Sequence, residues 1–300
     1  MHNLDILVVM ETRVGGDRAK EITDRLPFDG AIIVETVGFA GGIWLLWNSA
    51  RVEVVKLESM EQEIHAEVKV LHSNLSWILS AVYARPRLVE RQVLWNNLMR
   101  VAELHSKPWI IAGDFNEPLA EGDKFGGRPV SINRSLLLKD CLDKCNMVDK
   151  GFSGPRYTWT NRREISSLIQ ERIDRYFMNP SWCLLYPDAK VSHLTRCHSD
   201  HCPVLMETNP SRQLHLTRPF RFQSFWLSDP SFSDVVNQSW QHPRKLLESI
   251  EMFTKQASLW NKNQFGNIFH KKKRVVARLD GVQRALANQP SSSLVGKFAN

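Results

Sequence analysis

The sequence predicts an α+β fold: a four-layer α/β/β/α sandwich of two mainly antiparallel sheets, followed by a helical arm. Three features predict it. Short runs rich in β-branched and aromatic residues recur along the first two thirds of the chain, as half-buried strands require. Stretches of helical period are set between them, which suits helices laid outside two facing sheets. After Glu207 the strand-like runs stop, and spacings of three and four residues take over.

The elements follow in order. Leu4–Met10 is an apolar run of strand length, and Asp17–Leu26 is charged, helix-like and ended by Pro27. Ala31–Val37, Ile43–Trp47, Val52–Leu57, Ile64–Val70 and Ser76–Tyr83 read as strands. Ile64, Ala66, Val68 and Val70 alternate with a period of two, and His72-Ser73-Asn74 supplies a hairpin connection. A helix is expected over Leu88–His105, because Leu94, Leu98, Val101 and Ala102 share one face. Pro108–Ala112 is a buried strand running into Gly113-Asp114-Phe115-Asn116. A loop with Gly122, Gly126, Gly127 and Pro129 leads to a helix over Asn133–Cys145. Tyr157–Thr160, Arg172–Met178 and Cys202–Glu207 are further strands. The tryptophans Trp44, Trp47, Trp77, Trp95 and Trp109 lie inside apolar segments and are assigned to the core.

Behind this region, residues 1–208, the composition predicts a linker over 209–245 and a basic helical hairpin arm over 246–300. Ile250, Phe253, Ala257 and Trp260 form one seam, and Val275, Leu279, Val282 and Leu286 another. Gly266 divides them, so the two could pair antiparallel. Of the 39 basic and 32 acidic residues, 14 and 5 fall after residue 210, so the tail supplies the whole excess charge of +7. Such a segment suits phosphate backbones, although a merely solvated arm would look the same. Within it, Lys271, Lys272, Lys273 and Arg274 form the densest run.

No apolar run spans a bilayer, and the first residues lack a basic region and a cleavage site, so a membrane or secreted protein is not expected. The five cysteines are odd in number and lack a CxxC pair, which points to reduced thiols in nucleus or cytoplasm. A zinc site from Cys141, Cys145, Cys197 and Cys202 is disfavoured, because zinc ligands come as close pairs.

Acidic or histidine-bearing motifs stand at strand ends, where a sandwich displays site residues. They are Glu11 after LDILVVM, Asp114 and Asn116 after PWIIA, Asp174 in RIDRYF, and Asp200-His201 before CPVLM. A lone carboxylate at such a place is usually a solvated loop residue, and GDFN alone could be an Asx turn. Their joint occurrence in this order outweighs those readings.

These motifs, with Tyr83 ending SAVYARP and the aromatic YTWTN, resemble the exonuclease–endonuclease–phosphatase superfamily over about residues 4–207. YTWTN, ERIDRYFMNPSW and RPFRFQSFW are similar to the endonuclease of plant LINE-type (non-LTR) retroelements, in which a reverse transcriptase follows. The resemblance implies a metal-dependent DNA endonuclease using Mg2+ or Mn2+, with DNA as partner and RNA as a second. It makes Glu11 and Asp200 metal residues, Asp114 the acceptor of the water proton, and Asn116 the group orienting water and phosphate. It places His201 and Tyr83 on the phosphate, with Asp174 orienting His201. Trp159 would lie beside the nucleic acid, although a strand Trp is more often core. Arg85, Arg128 and Arg156 adjoin the motifs and are expected near phosphate, Arg85 and Arg156 above all as nucleic-acid contacts, although single arginines at loops are usually just solvated.

The family normally begins with one more strand, ending in an Asn, which is expected to be missing here. That loss would weaken metal binding and expose a strand edge. Two alternatives follow: an inactive remnant binding nucleic acid through its tail, and a phospholipid or inositol phosphatase of the same fold.

Overall fold

The structure is a computed structural model that describes residues 4–36, 41–210, 220–241, 245–264 and 268–288. It divides into two compact units, Met1–Pro210 with Leu279–Asn300, and Ser211–Arg278.

In chain order the first unit holds β1 (Ile6–Met10), α1 (Gly16–Thr23), β2 (Gly30–Val34), β3 (Ile43–Trp47), β4 (Val52–Met60), β5 (Glu63–Val70) and β6 (Leu75–Tyr83). There follow α2 (Leu88–Leu104), β7 (Trp109–Asp114), β8 (Lys124–Phe125), α3 (Ile132–Lys144), β9 (Val148–Asp149), β10 (Trp159–Thr160) and β11 (Gln170–Glu171). The last are β12 (Asp174–Met178), α4 (Pro180–Leu185), β13 (Lys190–His193) and β14 (Val204–Glu207).

One sheet has the order β4-β5-β6-β7-β12-β9 and is antiparallel except at β6–β7. Facing it are the antiparallel sheet β1-β3-β2 and the pair β13–β14. Side-chain alternation builds the layers. Leu79, Ala81 and Tyr83 of β6, Ile110 and Ala112 of β7, and Met178 of β12 point inward. They meet Ile43 and Leu45 of β3 and Ile6, Val8 and Met10 of β1 in the core between the sheets. The alternate residues Ile78, Val82, Trp109, Ile111 and Phe177 point outward and are covered by Leu94, Trp95 and Leu98 of α2 and Leu138 and Leu142 of α3. On the far side Trp44, Leu46, Leu7 and Val9 pack on Ala19 and Ile22 of α1. The four-layer α/β/β/α sandwich of the sequence reading is therefore the architecture.

Ile43–Trp47 has the expected bounds, and α2 ends one residue early. Leu75 opens β6 after a turn in which Asn74 takes φ 54°, a conformation Asn tolerates. The short strands β8, β9 and β11, together with α4 and β13, were not anticipated. Trp44, Trp77, Trp95 and Trp109 are buried, and Trp47 is half-buried against the core. All five cysteines are free thiols.

The second unit departs from the expected linker and hairpin. Residues 209–245 include a helix, α5 (Phe232–Trp240), where only a linker was expected. The seam of α6 (Leu246–Gln264) packs on α5: Ala257 and Phe253 join Trp226, Phe232 and Val235. The cause is the aromatic segment before α5, which gives α6 an apolar partner of its own. Gly266 lies outside the described residues. In α7 (Ile268–Asn288), Leu286 and Ala287 are buried, whereas Val275 is exposed.

Trp182, fully buried, meets Trp77 edge-on at 6.1 Å and Tyr186 at 4.9 Å between the sheets. Replacing Trp182 by Ala should cost about 3–5 kcal/mol in urea unfolding. Leu184→Ala, at a position 82 % exposed, should stay within about 0.5 kcal/mol. Equal effects would contradict this core.

Candidate active site

The inward-facing rows of three neighbouring strands end together. Tyr83 on β6 is the register partner of Asp114 on β7, which is the partner of Asp174 on β12. Residues paired across strands share a face, so one phenol and two carboxyls line up at the edge of the core. The Gly before Asp114 is required sterically: a Cβ at Gly113 would lie 1.9 Å from the carbonyl oxygen of Val82. β1 ends against the same place, with the Met10 sulfur accepting from the Asp114 backbone N–H at 3.3 Å. Glu11 follows at once, in the left-handed region at φ 52°.

The segment 200–202 is laid beside this row by β10. Thr160 N–H donates to the Asp200 carbonyl at 3.1 Å, and Cys202 N–H donates to that of Thr158. The Thr158 hydroxyl accepts from the backbone of Ile173 and Asp174, both at 3.1 Å. His201 therefore faces Asp174, with Nδ1 at 2.9 and 3.1 Å from the two carboxylate oxygens. Trp159 is half-buried, and its indole N–H donates to Asp200 at 3.1 Å.

Asp114 is 4 % exposed. Burial, then the charge of Asp174, pushes its carboxyl up to about 8, against the pull of His201. For His201 burial works against the charged form. The hydrogen bond and charge of Asp174, with Asp114 and Asp200 adding, override it and raise the imidazole to about 9. Tyr83 is raised by burial, by the charges of Glu11 and Asp114, and by a hydrogen bond to Glu11. Asp200 is exposed, and the desolvation it does suffer would raise it, yet the Trp159 bond and the His201 charge bring it below the usual carboxylate range.

Asn116 takes φ 46° and is tied by its side-chain amide to the Ala84 carbonyl at 2.8 Å and to Asp114 at 3.1 Å. Glu11 pairs with Arg13, whose guanidinium is held charged first by that bond and also by Tyr83 and Asp200. Of the arginines expected near phosphate, Arg85 pairs with Glu61 at 2.8 Å, and Arg156 donates to the Gly122 carbonyl at 2.8 Å while lying over Tyr157. Arg128 is exposed. Lys271, Lys272, Lys273 and Arg274 are exposed on α7.

Asp114, Asp174 and His201 offer ligand atoms within 4.8 Å of one another. Glu11 and Asp200, the expected metal residues, stand outside that trio. An imidazolium hydrogen-bonded to Asp174 is a poor ligand, so a cation is better served by the carboxylates. Four of them, Glu11, Asp114, Asp174 and Asp200, gather beside Arg13 and His201, with Arg162 and Arg196 also acting on them electrostatically. Burial is the first cause of the raised Asp114 carboxyl and the Asp174 charge the second; an oxygen-rich site of this kind suits a hard divalent ion.

Sequence reasoning missed Arg13 and Arg162. Both act on Asp200 electrostatically, and each adjoins a motif residue already singled out, Glu11 in one case and the YTWTN stretch in the other.

Residues 1–229 match the model of the Endonuclease/Exonuclease/phosphatase family. The chain belongs to that family. No functionally curated protein matches it in sequence. Among solved structures it is similar to the catalytic domain of Xenopus laevis APE2, with a TM-score of 0.51 at 16 % identity over 68 % of this chain and 83 % of that one. The AP endonuclease LMAP of Leishmania major gives 0.49 at 15 % identity, covering 67 % and 77 %. The endonuclease domain of TRAS1, a telomere-specific non-LTR retrotransposon, gives 0.48 at 16 %, covering 63 % and 83 %. At such identities the likeness to APE2 shows the fold alone.

A histidine raised by a carboxylate has a defined titration. His201 should stay an imidazolium through neutral pH and titrate near 9 by NMR of its ring. Because that value lies above the unfolded one, about 6.5, the pair's stabilisation is complete below about 6.5 and is lost as pH rises through 9. Asp174→Asn should bring the midpoint down to about 6.5 or lower, since burial then acts with less opposition. An unchanged midpoint would contradict the pairing.

Proposed function

We propose that this chain is a metal-dependent endonuclease that hydrolyses DNA phosphodiester bonds, of the LINE-type retroelement kind. The observation that carries this reading is the row Tyr83–Asp114–Asp174 closed by His201. It gathers a base, a cationic donor and a phenol at one place on the sandwich edge.

Glu11 and Asp200 would hold Mg2+ or Mn2+, with substrate oxygens completing the site. Bound there, the ion supplies Lewis-acid polarisation of the scissile phosphate. Asp114, raised toward neutrality by burial and Asp174, is matched to accept the proton of an attacking water. Asn116, anchored to Ala84 and Asp114, orients that water. His201 donates from its imidazolium to a non-bridging phosphate oxygen, where negative charge grows in the transition state. Asp174 keeps the ring oriented and charged. Tyr83 is held protonated, so its hydroxyl donates to phosphate. The products would be a 3′-hydroxyl and a 5′-phosphate.

Trp159 presents a half-buried face next to Asp200 and would rest against a sugar or base. The exposed run Lys271–Arg274 would add phosphate contacts from the tail, and its presence favours nucleic acid over a phospholipid or inositol phosphate. No helix among the described residues is long and apolar enough to cross a membrane.

Supercoiled plasmid with Mg2+ should be nicked by the full chain. His201→Ala should slow nicking about 100- to 1,000-fold, the usual worth of one group aimed at developing charge, and Asp114→Ala should abolish it. A plasmid left intact by wild type and variant alike would overturn the enzymatic reading. Neutralising Lys271, Lys272, Lys273 and Arg274 should reduce the slope of log affinity against log salt by up to about 3–4 for duplex DNA. Salt-sensitive binding without nicking would instead mark a nucleic-acid-binding remnant.

A further inference from the structure

Arg91 is a charged side chain in the wrong place for a surface helix. It lies on α2 yet is 1 % exposed, and its partner Glu117 is 2 % exposed. One guanidinium nitrogen donates to the carbonyls of Asn116 at 2.9 Å, Pro86 at 3.1 Å and, more weakly, Arg85 at 3.4 Å. The other donates to Glu117 at 2.8 Å. Those carbonyls belong to two separate loops, the one that follows Tyr83 and the one that follows Asp114. The same loops meet again where Ala84 N–H donates to the Asp114 carbonyl at 2.8 Å and Asn116 donates to Ala84.

Burying an ion pair costs desolvation that a leucine pair would avoid, so packing alone does not call for this arrangement. A guanidinium offers what leucine cannot: donors in a fixed plane that reach both loops at once. Asn116 takes the left-handed backbone that Asn tolerates, and Arg91 donates to the carbonyl of that same residue.

We infer that Arg91, neutralised by Glu117, is a positioning residue that clamps the Tyr83 loop to the Asp114–Asn116 turn and so fixes the distance between phosphate-binding and water-activating groups. The inference rests on the hydrolytic reading of the site. Misplacement by about 1 Å can cost on the order of 100-fold in rate, so the clamp's effect belongs in kcat rather than KM.

The test uses the full chain. Arg91→Lys keeps the charge but loses the planar fork. Its circular dichroism spectrum should match wild type, while kcat for nicking a duplex falls about 10- to 100-fold and KM changes less than about threefold. Arg134→Ala, which removes the other partner of Glu117 but no loop carbonyl contact, should keep wild-type kcat. Hydrogen exchange supplies a readout independent of activity. Residues 84–87 and 115–118 should exchange at least about tenfold faster in Arg91→Lys, with β7 unchanged. Wild-type kcat in a folded Arg91→Lys, or faster exchange spread over the whole sandwich, would overturn the clamp. Should Arg91→Lys not fold, Glu117→Gln is read by the same two measurements. If wild type itself does not cut, the hydrolytic reading falls, while unchanged exchange in the two loops would separately refute the tie.

Discussion

The bond between Asp174 and His201 is the constraint on which the site depends. It joins a residue inside the large sheet to one near the end of the sandwich region, 27 positions later. Without it His201 would be a buried imidazole pushed toward neutrality; with it the ring is a cation at physiological pH. The same Asp174 charge raises Asp114, its register partner. One carboxylate therefore raises both groups, keeping His201 cationic and bringing Asp114 toward the neutral range in which a base is useful. Thr158 makes this arrangement possible, because its hydroxyl fixes the backbone of Asp174 while its carbonyl receives Cys202.

Much of the scaffold was legible because its strands alternate. Ile64, Ala66 and Val68 face the core as their period requires, and the two apolar faces of β6 and β7 belong to two different layers. The strand-end positions of Glu11, Asp114 and His201 were legible for the same reason. Register was not: nothing in the sequence says that Tyr83, Asp114 and Asp174 fall opposite one another, since pairing is decided by non-local packing. Strands of two residues, such as β8 and β11, are too short to show a period. Arg91 was passed over because a charged helix residue reads as solvated, yet it stands three positions before Leu94 and seven before Leu98, on the buried stripe. A charge on an apolar stripe was the available signal.

The tail shows a different limit. Its helical seams were visible, but spacing cannot name a helix's partner. Phe220, Trp226 and Phe232 supply a cluster on which α6 packs, whereas Gln283 on α7 is buried with its side-chain amide bridging the backbone N–H and carbonyl of Arg196, at 3.1 and 2.7 Å. Arg196 in turn donates to the carbonyl of Asp200 at 3.3 Å. Part of what reads as a basic arm thus belongs to the unit that carries the site, and its surface charge and its packing face serve separate ends.

The central claim is that carboxylates from distant segments form one cation-binding, hydrolytic centre at the edge of the sandwich. Anomalous diffraction from crystals soaked in Mn2+ tests it most directly. The expected result is a peak bonded to Glu11 and Asp200, beside Asp114 and an imidazole still paired with Asp174. A fully occupied peak elsewhere, with none among these carboxylates, would contradict it.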